Sequence, residues 1–448
     1  MRFLIPWSLV LSVGFLFPFA AQAQAKDERE LIVLLLIDAV RADAVGCYGY
    51  SKPTTPVIDE LCKKGTRFTR MYSNAPWTRP STASFLTGLN ASRHQTQSYK
   101  TKMSKSVKTV AGQLKKQGFK TYGFSANGNG GSLANLHFGF DVFRDVSNTY
   151  TKKKRGKTYN RLPTGEFMVA RVLEHLAQTK AKKEFLFLFL VDPHDPYGAP
   201  AHLEKQFLGA DFKGKIRRNA LWERNNNYPP DERHSMRAIY DAGIRYSDIA
   251  VEQLIEGLKK QGRWDNTTLF VTADHGEGFG EHNFYLHAHH FWNEVIHVPL
   301  IAYGGPFNTG RTDERVTQAI DVSATILDLA GADPDAVDGY SLLKPPRDNP
   351  HVISEYNEFG IRRQAIVGPR YKVIWQRAAI RDEYMKEARD PKFFPSVIFE
   401  GERVRVFDLV KDPGEKKDLS ASMPAEAKSL LAQLRAFVAE SDRTSAPR

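Results

Sequence analysis

An unbroken apolar run, Leu31 to Ile37, ends abruptly on Asp38. A run of that length with no polar alternation predicts a strand buried on both faces in the middle of a sheet. Helical spacing follows from Ser106 to Gln117, with Val107, Val110, Ala111 and Leu114 on one face and Gly118 as a stop. Phe119 to Phe124 reads as the next strand, Glu166 to Gln178 as an amphipathic helix and Glu184 to Val191 as another buried strand. Arg237 to Gln261 reads as a long helix, and Thr267 to Thr272 as a strand running into Ala273-Asp274-His275. Strands alternating with helices predict an α/β fold: a large, mostly parallel mixed sheet with helices on both faces. Its unusual polar residues fall just after strand C-terminal ends, where open sheets of this kind build their sites.

The texture changes after about residue 345. Short strand-like runs at His351–Glu355, Gln364–Val367, Tyr371–Trp375 and Val404–Leu409 precede a helix from Ala425 to Glu440. They predict a small antiparallel sheet with one helix, so residues 30–345 form the main domain and 346–448 a C-terminal subdomain. The loop from Tyr197 to Asp231 is longer than a connector needs and is a candidate substrate wall.

Residues 1–25 carry Arg2, an apolar stretch from Phe3 to Ala20 and small-x-small sites at Ala21-Gln22-Ala23 and Ala23-Gln24-Ala25. This is the pattern of a secretory signal peptide, so the expected location is secreted or periplasmic. No other stretch has the ~18 apolar residues of a spanning helix. Two cysteines, Cys47 and Cys62, exclude a disulfide scaffold and leave open whether they pair. The net charge is +12, and its basic runs at Lys152–Arg155 and Lys213–Arg218 read first as solvated loops; attraction of an anionic substrate or the cell envelope is the functional alternative, and nucleic acid is disfavoured because no aromatics interleave the bases.

Four constellations carry candidate chemistry. The first is Asp38-Ala39-Val40-Arg41-Ala42-Asp43 with Gly46-Cys47-Tyr48-Gly49. A carboxylate at a buried strand end is costly unless paired or metal-bound; a helix cap is the alternative. The second is Trp77-Thr78-Arg79-Pro80, running on to Leu86-Thr87-Gly88. Pro80 suits a first helical turn, and a hydroxyl there faces free N–H groups that stabilise anions; Thr78 as a simple N-cap is the alternative. The third is Asp192-Pro193-His194-Asp195-Pro196-Tyr197. The fourth is Asp274-His275-Gly276-Glu277, followed by Gly280-Glu281-His282 and His287-Ala288-His289-His290, a credible metal cluster.

Taken in this order, these segments closely resemble the sulfatase family of the alkaline phosphatase superfamily, over roughly residues 30 to 440. The likeness extends to Val298-Pro299-Leu300, Asp338-Gly339-Tyr340-Ser341-Leu342, Phe407-Asp408-Leu409 and Asp412-Pro413-Gly414-Glu415. The resemblance implies one divalent metal held by Asp38, Asp274, His275 and the Thr78 oxygen. Carboxylates with an imidazole suit Mn²⁺ or Zn²⁺, whereas Ca²⁺ or Mg²⁺ prefers all-oxygen ligands. Ala39 stands where the family often has a further carboxylate. Thr78, His194, His287 and His289 are the implied catalytic residues, and Asn127 and Arg79 the implied substrate-binding ones. A second metal, held partly by His289 and Asp192, is a further expectation.

The chain departs from the family at its nucleophile. Formylglycine formation needs Cys or Ser at the position of Thr78 and usually Arg at that of Thr82, so this modification is not expected. A threonine lacks the second hydroxyl that expels sulfate from a formylglycine hydrate. A phosphorylated threonine, in contrast, is hydrolysed at phosphorus by water. The leading expectation is therefore phosphate or phosphonate ester cleavage through Thr78. Sulfate ester hydrolysis by another route and an inactive glycan-binding protein are the alternatives. The partner is an anionic ester in each case, such as a sulfated or phosphorylated glycan or a lipid head group.

Overall fold

The computed structural model describes residues 29–147, 151–154, 157–160, 163–218, 228–358, 361–378 and 401–445. The proposed signal peptide lies outside them. In chain order the main domain contributes strand β1 (Glu30–Ile37), helix α1 (Pro56–Lys64), strand β2 (Thr66–Tyr72), helix α2 (Thr78–Thr87) and strands β3 (Lys120–Ser125) and β4 (Val142–Asp145). Helix α3 (Gly165–Gln178), strand β5 (Lys183–Leu190), helix α4 (Pro230–Lys260), strands β6 (Thr267–Thr272), β7 (His297–Tyr303) and β8 (Arg311–Gln318) and helix α5 (Ala319–Leu329) follow. The eight strands form one sheet in the order β8-β2-β7-β6-β1-β5-β3-β4. Every pairing is parallel except those of β7, which runs antiparallel to β2 and β6.

The apolar run in β1 is buried as its pattern requires, with Leu31 to Ile37 at most 2% exposed. It pairs with β6 on one side and β5 on the other. Leu36 opposes Thr272, so Asp38 and Asp274 emerge level with one another two residues later. Ile37 opposes Leu190, which brings the segment with His194 beside them, and Ser125 opposes Phe189, which brings Asn127. Four adjacent parallel strands thus deliver the chemistry-bearing residues to one edge of the sheet. Close approach of backbone is needed twice here. A Cβ on Gly243 in α4 would lie 2.8 Å from the Asp192 carbonyl oxygen, and one on Gly276 would lie 2.2 Å from that of Glu294.

Three helices differ in length from their sequence expectation, the C-terminal one running on from Glu440 to Ser445. The helix placed at Ser106–Gln117 spans only Val110–Lys116, because Thr109 caps it, its Oγ1 accepting from Gly112 N. Helix α4 begins at Pro230 rather than Arg237; proline at its first position needs no N–H partner there. Cys47 and Cys62 form a disulfide that ties the loop after β1 to α1. Within the long loop after Tyr197, a short helix covers Ala201–Leu208 and Arg218 pairs with Glu204; residues 219–227 lie outside the description. No helix among the described residues is long and apolar enough to cross a membrane.

The C-terminal subdomain is a four-stranded antiparallel sheet, β9 (Val352–Glu358), β10 (Ile361–Val367), β11 (Tyr371–Gln376) and β12 (Arg403–Asp408), in that order, with helix α6 (Ala425–Ser445) on one face. Its other face packs on Tyr72, Trp77, Phe291 and Trp292 of the main domain. A buried ion pair, Lys372 to Glu415 at 2.8 Å, sits at this junction. Lys372 Nζ also donates to the Phe291 carbonyl (2.9 Å) and to Asn293 Oδ1 (2.7 Å), so the subdomain anchors the chain just after the histidine cluster.

Candidate active site

Three side chains from β1 and β6 meet at one point. Asp38, Asp274 and His275 are fully buried, and one ligand atom from each lies within 4.8 Å of the others. His275 Nε2 is 3.5 Å from Asp38 Oδ1 and 3.2 Å from Asp274 Oδ2. His275 Nδ1 is 2.9 Å from the Gly276 carbonyl oxygen. That oxygen only accepts, so Nδ1 carries the proton and the Nε2 lone pair faces the carboxylates. Asp38 Oδ1 and Asp274 Oδ2 have no hydrogen-bond partner although both are buried. Two orphaned carboxylate oxygens around an imidazole lone pair fit a divalent cation and little else. Burial raises both carboxyls to about 7, and it lowers His275 to about 3.

The remaining oxygens are braced. Asp274 Oδ1 accepts from Ala39 N (3.2 Å) and His275 N (3.0 Å). Ala39 adopts a left-handed conformation, φ 62°, and its carbonyl accepts from Tyr240 Oη at 2.8 Å. Asn127 Nδ2 donates to Asp38 Oδ2 at 2.7 Å, while Asn127 Oδ1 accepts from Asn129 N. Asn127, expected to bind substrate, thus braces the Asp38 carboxylate through its amide.

Thr78 is the first residue of α2, with Trp77 at the cap position. Its hydroxyl caps nothing; Oγ1 lies 3.2 Å from His275 Nε2, beside the carboxylates. Ser81 Oγ donates to the Asp274 carbonyl at 2.6 Å, which fixes the helix against the strand end. Thr82, where the family motif usually has Arg, is fully buried and its hydroxyl has no partner. The N-cap alternative for Thr78 is therefore replaced by a hydroxyl held beside the candidate metal site, at a helix N-terminus.

The histidines divide. His287 lies tilted against His275 with ring centroids 4.2 Å apart, and His194 meets His287 edge-on at 5.1 Å. His289 instead packs edge-on against Tyr356 of β9, and its carbonyl accepts from Arg363. Asp192, the other residue named for a second metal, accepts from Gly165 N and Ser247 Oγ and so anchors the start of α3. Among the described residues the Asp38–Asp274–His275 group is the one set of three or more such side chains whose ligand atoms gather for an ion; Asp192 and His289 take other partners in the structure.

Glu277 belongs to the Asp274-His275-Gly276-Glu277 segment, and the sequence assigns it no role. It is fully buried, and its Oε1 lies 3.1 Å from His287 Nδ1. Burial raises Glu277 to about 8 and holds His287 well below its ordinary value. With Nδ1 turned to Glu277, the other ring nitrogen of His287 is the one available to a reacting group. Only the carboxyl two residues after a ligand histidine hints at this, and spacing alone cannot say which imidazole it reaches.

Arg79, the other residue expected to bind substrate, reaches a neighbouring loop. Its Nη1 donates to the carbonyls of Ser98 (2.9 Å), Tyr99 (2.7 Å) and Thr101 (2.9 Å), and Nη2 to Asn129 Oδ1 (2.8 Å). A guanidinium so engaged holds loops together and has little left for substrate. Replacing Arg79 with Leu is expected to lower stability by about 2–4 kcal/mol, because several carbonyls lose a charged donor. Urea denaturation checks this; an unchanged midpoint would mean water satisfies the loop as well as the arginine does.

The sulfatase family profile matches residues 30–332, about two-thirds of the chain. This protein belongs to the sulfatase family. It is therefore a hydrolase of sulfuric or phosphoric esters, built on the α/β scaffold of that family. A Δ4,5-hexuronate-2-O-sulfatase of Bacteroides thetaiotaomicron is 24% identical over 466 aligned positions, covering 94% of this chain and 89% of the relative. An arylsulfatase of Clostridium perfringens is 23% identical, covering 82% and 90%. The crystal structure of a phosphonate monoester hydrolase of Agrobacterium radiobacter superimposes with a TM-score of 0.71 at 18% identity, covering 93% of this chain and 96% of the other.

Proposed function

We propose that the protein cleaves phosphate or phosphonate esters through a covalent intermediate on Thr78. The observation that carries this reading is the Thr78 hydroxyl, 3.2 Å from His275 Nε2 and placed at the first residue of a buried helix. A divalent metal at Asp38, Asp274 and His275 supplies Lewis-acid stabilisation of negative charge and favours the ionised nucleophile. The backbone N–H groups of the first turn of α2 add a positive potential where the oxyanion develops.

Thr78 Oγ1 forms a bond to phosphorus as the bond to the ester alcohol breaks. The departing oxygen takes a proton from the His194–His287 side of the cleft. Water then attacks phosphorus and releases Thr78. Burial keeps His287 neutral in the empty cleft; a bound anion favours its charged form, and Glu277 stabilises that form from behind. The shared fold with a phosphonate monoester hydrolase means that the scaffold itself does not restrict the reaction to sulfur.

Sulfate ester hydrolysis is the second reading, favoured by the names of the curated relatives, a hexuronate sulfatase and an arylsulfatase. A panel of aryl sulfate, phosphate monoester, phosphodiester and phosphonate, assayed with metal analysis, separates the two. Activity confined to aryl sulfate would overturn the first reading. We place the enzyme outside the cytoplasm, as secreted or periplasmic; the Cys47–Cys62 disulfide suits an oxidising compartment.

The Glu277–His287 arrangement makes a separate prediction. Glu277→Gln is expected to lower kcat about tenfold to a hundredfold for esters of poor leaving alcohols and much less for a nitrophenyl ester, since only the former need the proton. KM should stay close to the wild-type value. Equal losses for both esters would assign Glu277 a structural role.

A further inference from the structure

Three adjacent strands of the C-terminal sheet place three arginines on one face. In the antiparallel register Arg363 of β10 lies opposite Gln376 of β11, and Gln376 lies opposite Arg403 of β12. Arg405, two residues along β12, lies opposite Ile374 and shares that face, because side chains alternate along a strand. This is the face turned to the main domain, with Ile374 buried in the cluster that holds Phe291 and Trp292. The Arg405 guanidinium sits 5.5 Å from the centre of the Trp292 ring.

The space between these side chains is lined by donors. Arg363, Gln376, Arg403 and Arg405 border it from the sheet, and His289 and Trp292 from the main domain; among the described residues no acidic side chain lines it. Arg363 Nε donates to Gln376 Oε1 at 2.9 Å, which engages the acceptor end of that amide and fixes its Nε2 as the other end. Gln376 is 9% exposed and Trp292 6%. Gln376 Nε2 and Trp292 Nε1 are nevertheless without a hydrogen-bond partner among the described residues. A buried donor without an acceptor is costly, and two of them beside three cations call for the same partner. Burial, and then the Arg363 charge, hold His289 down at about 3, so the positive charge here belongs to the guanidiniums. Glu402, the acid next to Arg403 in sequence, accepts from Trp375 Nε1 and Arg435 on the sheet's other face.

We propose that this junction binds one small oxyanion, a carboxylate or an inorganic sulfate, through the Arg363–Gln376–Arg403 rung, Arg405 and the Trp292 indole N–H. A guanidinium fork matches two oxygens of such an anion, and the two neutral donors add directed hydrogen bonds. The cavity, about 20 Å³, has room for the head of one small anion and none for a ring. It shares no side chain with the set Asp38, Thr78, His194, Asp274, His275 and His287, so the proposal stands apart from the ester-cleavage reading. An anion held here joins the C-terminal sheet to the segment that follows His287.

The indole N–H signals of ¹⁵N-tryptophan-labelled, zinc-loaded protein test this directly. Trp292→Phe identifies the Trp292 signal, and Trp77→Phe that of Trp77, the neighbour of Thr78. Titration with sodium acetate and, separately, sodium sulfate at constant ionic strength is expected to move the Trp292 signal saturably. The tighter of the two names the class of anion. Arg403 is exposed at the start of β12, so its replacement leaves the sheet in place. Arg403→Gln should weaken binding about tenfold and Arg403→Lys less, since a charged forked donor is lost. Arg405→Gln serves as a second variant. A Trp292 signal that neither anion moves saturably would overturn the site, because the guanidiniums would then be neutralised within the chain. So would a midpoint that Arg403→Gln and Arg405→Gln both leave unchanged. A saturable shift confined to Trp77 would place the anion at the Thr78 centre, overturning this site and leaving the ester-binding reading intact.

Discussion

Thr78→Ala is expected to lower turnover by roughly three orders of magnitude or more while leaving the fold intact. The structural side of this expectation is specific. The Thr78 hydroxyl caps no backbone group, and its one contact is with His275 Nε2. Removing it therefore leaves no buried donor unpaired in α2, and the loss of stability should not exceed about 1 kcal/mol. Thr78→Ser keeps the hydroxyl but frees its rotation, so part of the rate should survive. Thr78→Cys should be poor, since a thiolate matches a carboxylate-rich metal site badly. Rapid acid quench followed by mass spectrometry provides the direct observation: a phosphoryl-sized adduct on the peptide that holds Thr78. If Thr78→Ala hydrolyses the same ester at the wild-type rate, threonine is not the nucleophile, and an activated water takes its place.

The sequence disclosed the frame of this site better than its internal wiring. Asp38 and Asp274 follow apolar runs, and the period of those runs places them at strand ends; adjacency of β1 and β6 then brings them together. The position of Thr78 followed from Pro80 in the first helical turn. Side-chain direction was not legible. Arg79 is next to the nucleophile in sequence, yet its side chain reaches the Ser98–Thr101 loop. Asn127 turns to Asp38, and Glu277 turns to His287. Each of these depends on loop geometry that local periodicity does not encode. His289 shows the same limit: two residues from His287, it packs on β9 of the C-terminal subdomain, a contact set by tertiary packing. The start of α4 was missed for a different reason. Its first turns carry Asp231, Glu232 and Arg233, whose polarity hides the apolar stripe that begins further on.

The second large effect concerns the metal. Asp274→Ala is expected to lower metal affinity at least about a hundredfold and to reduce turnover with it, because one of three gathered ligands is lost. The pH dependence gives an independent check. In the metal-free protein burial raises Asp38 and Asp274 from the usual carboxyl value to about 7. The folded state then holds these protons more tightly than the unfolded chain. Their contribution to stability is complete below about pH 4 and is lost as pH rises through about 7. A cation reverses the sign, since it binds the ionised carboxylates and the neutral imidazole and must displace those protons. Burial holds His275 neutral down to about 3, so the carboxyls and not the histidine set the window. Added Mn²⁺ or Zn²⁺ should therefore raise Tm more at about pH 8 than at about pH 5.5, the gain being the stabilisation expected of a ligand specific to the folded state. In Asp274→Ala this pH-dependent gain should largely vanish. A metal-induced rise in Tm of equal size at both pH values, or one undiminished in Asp274→Ala, would show that the cation binds elsewhere.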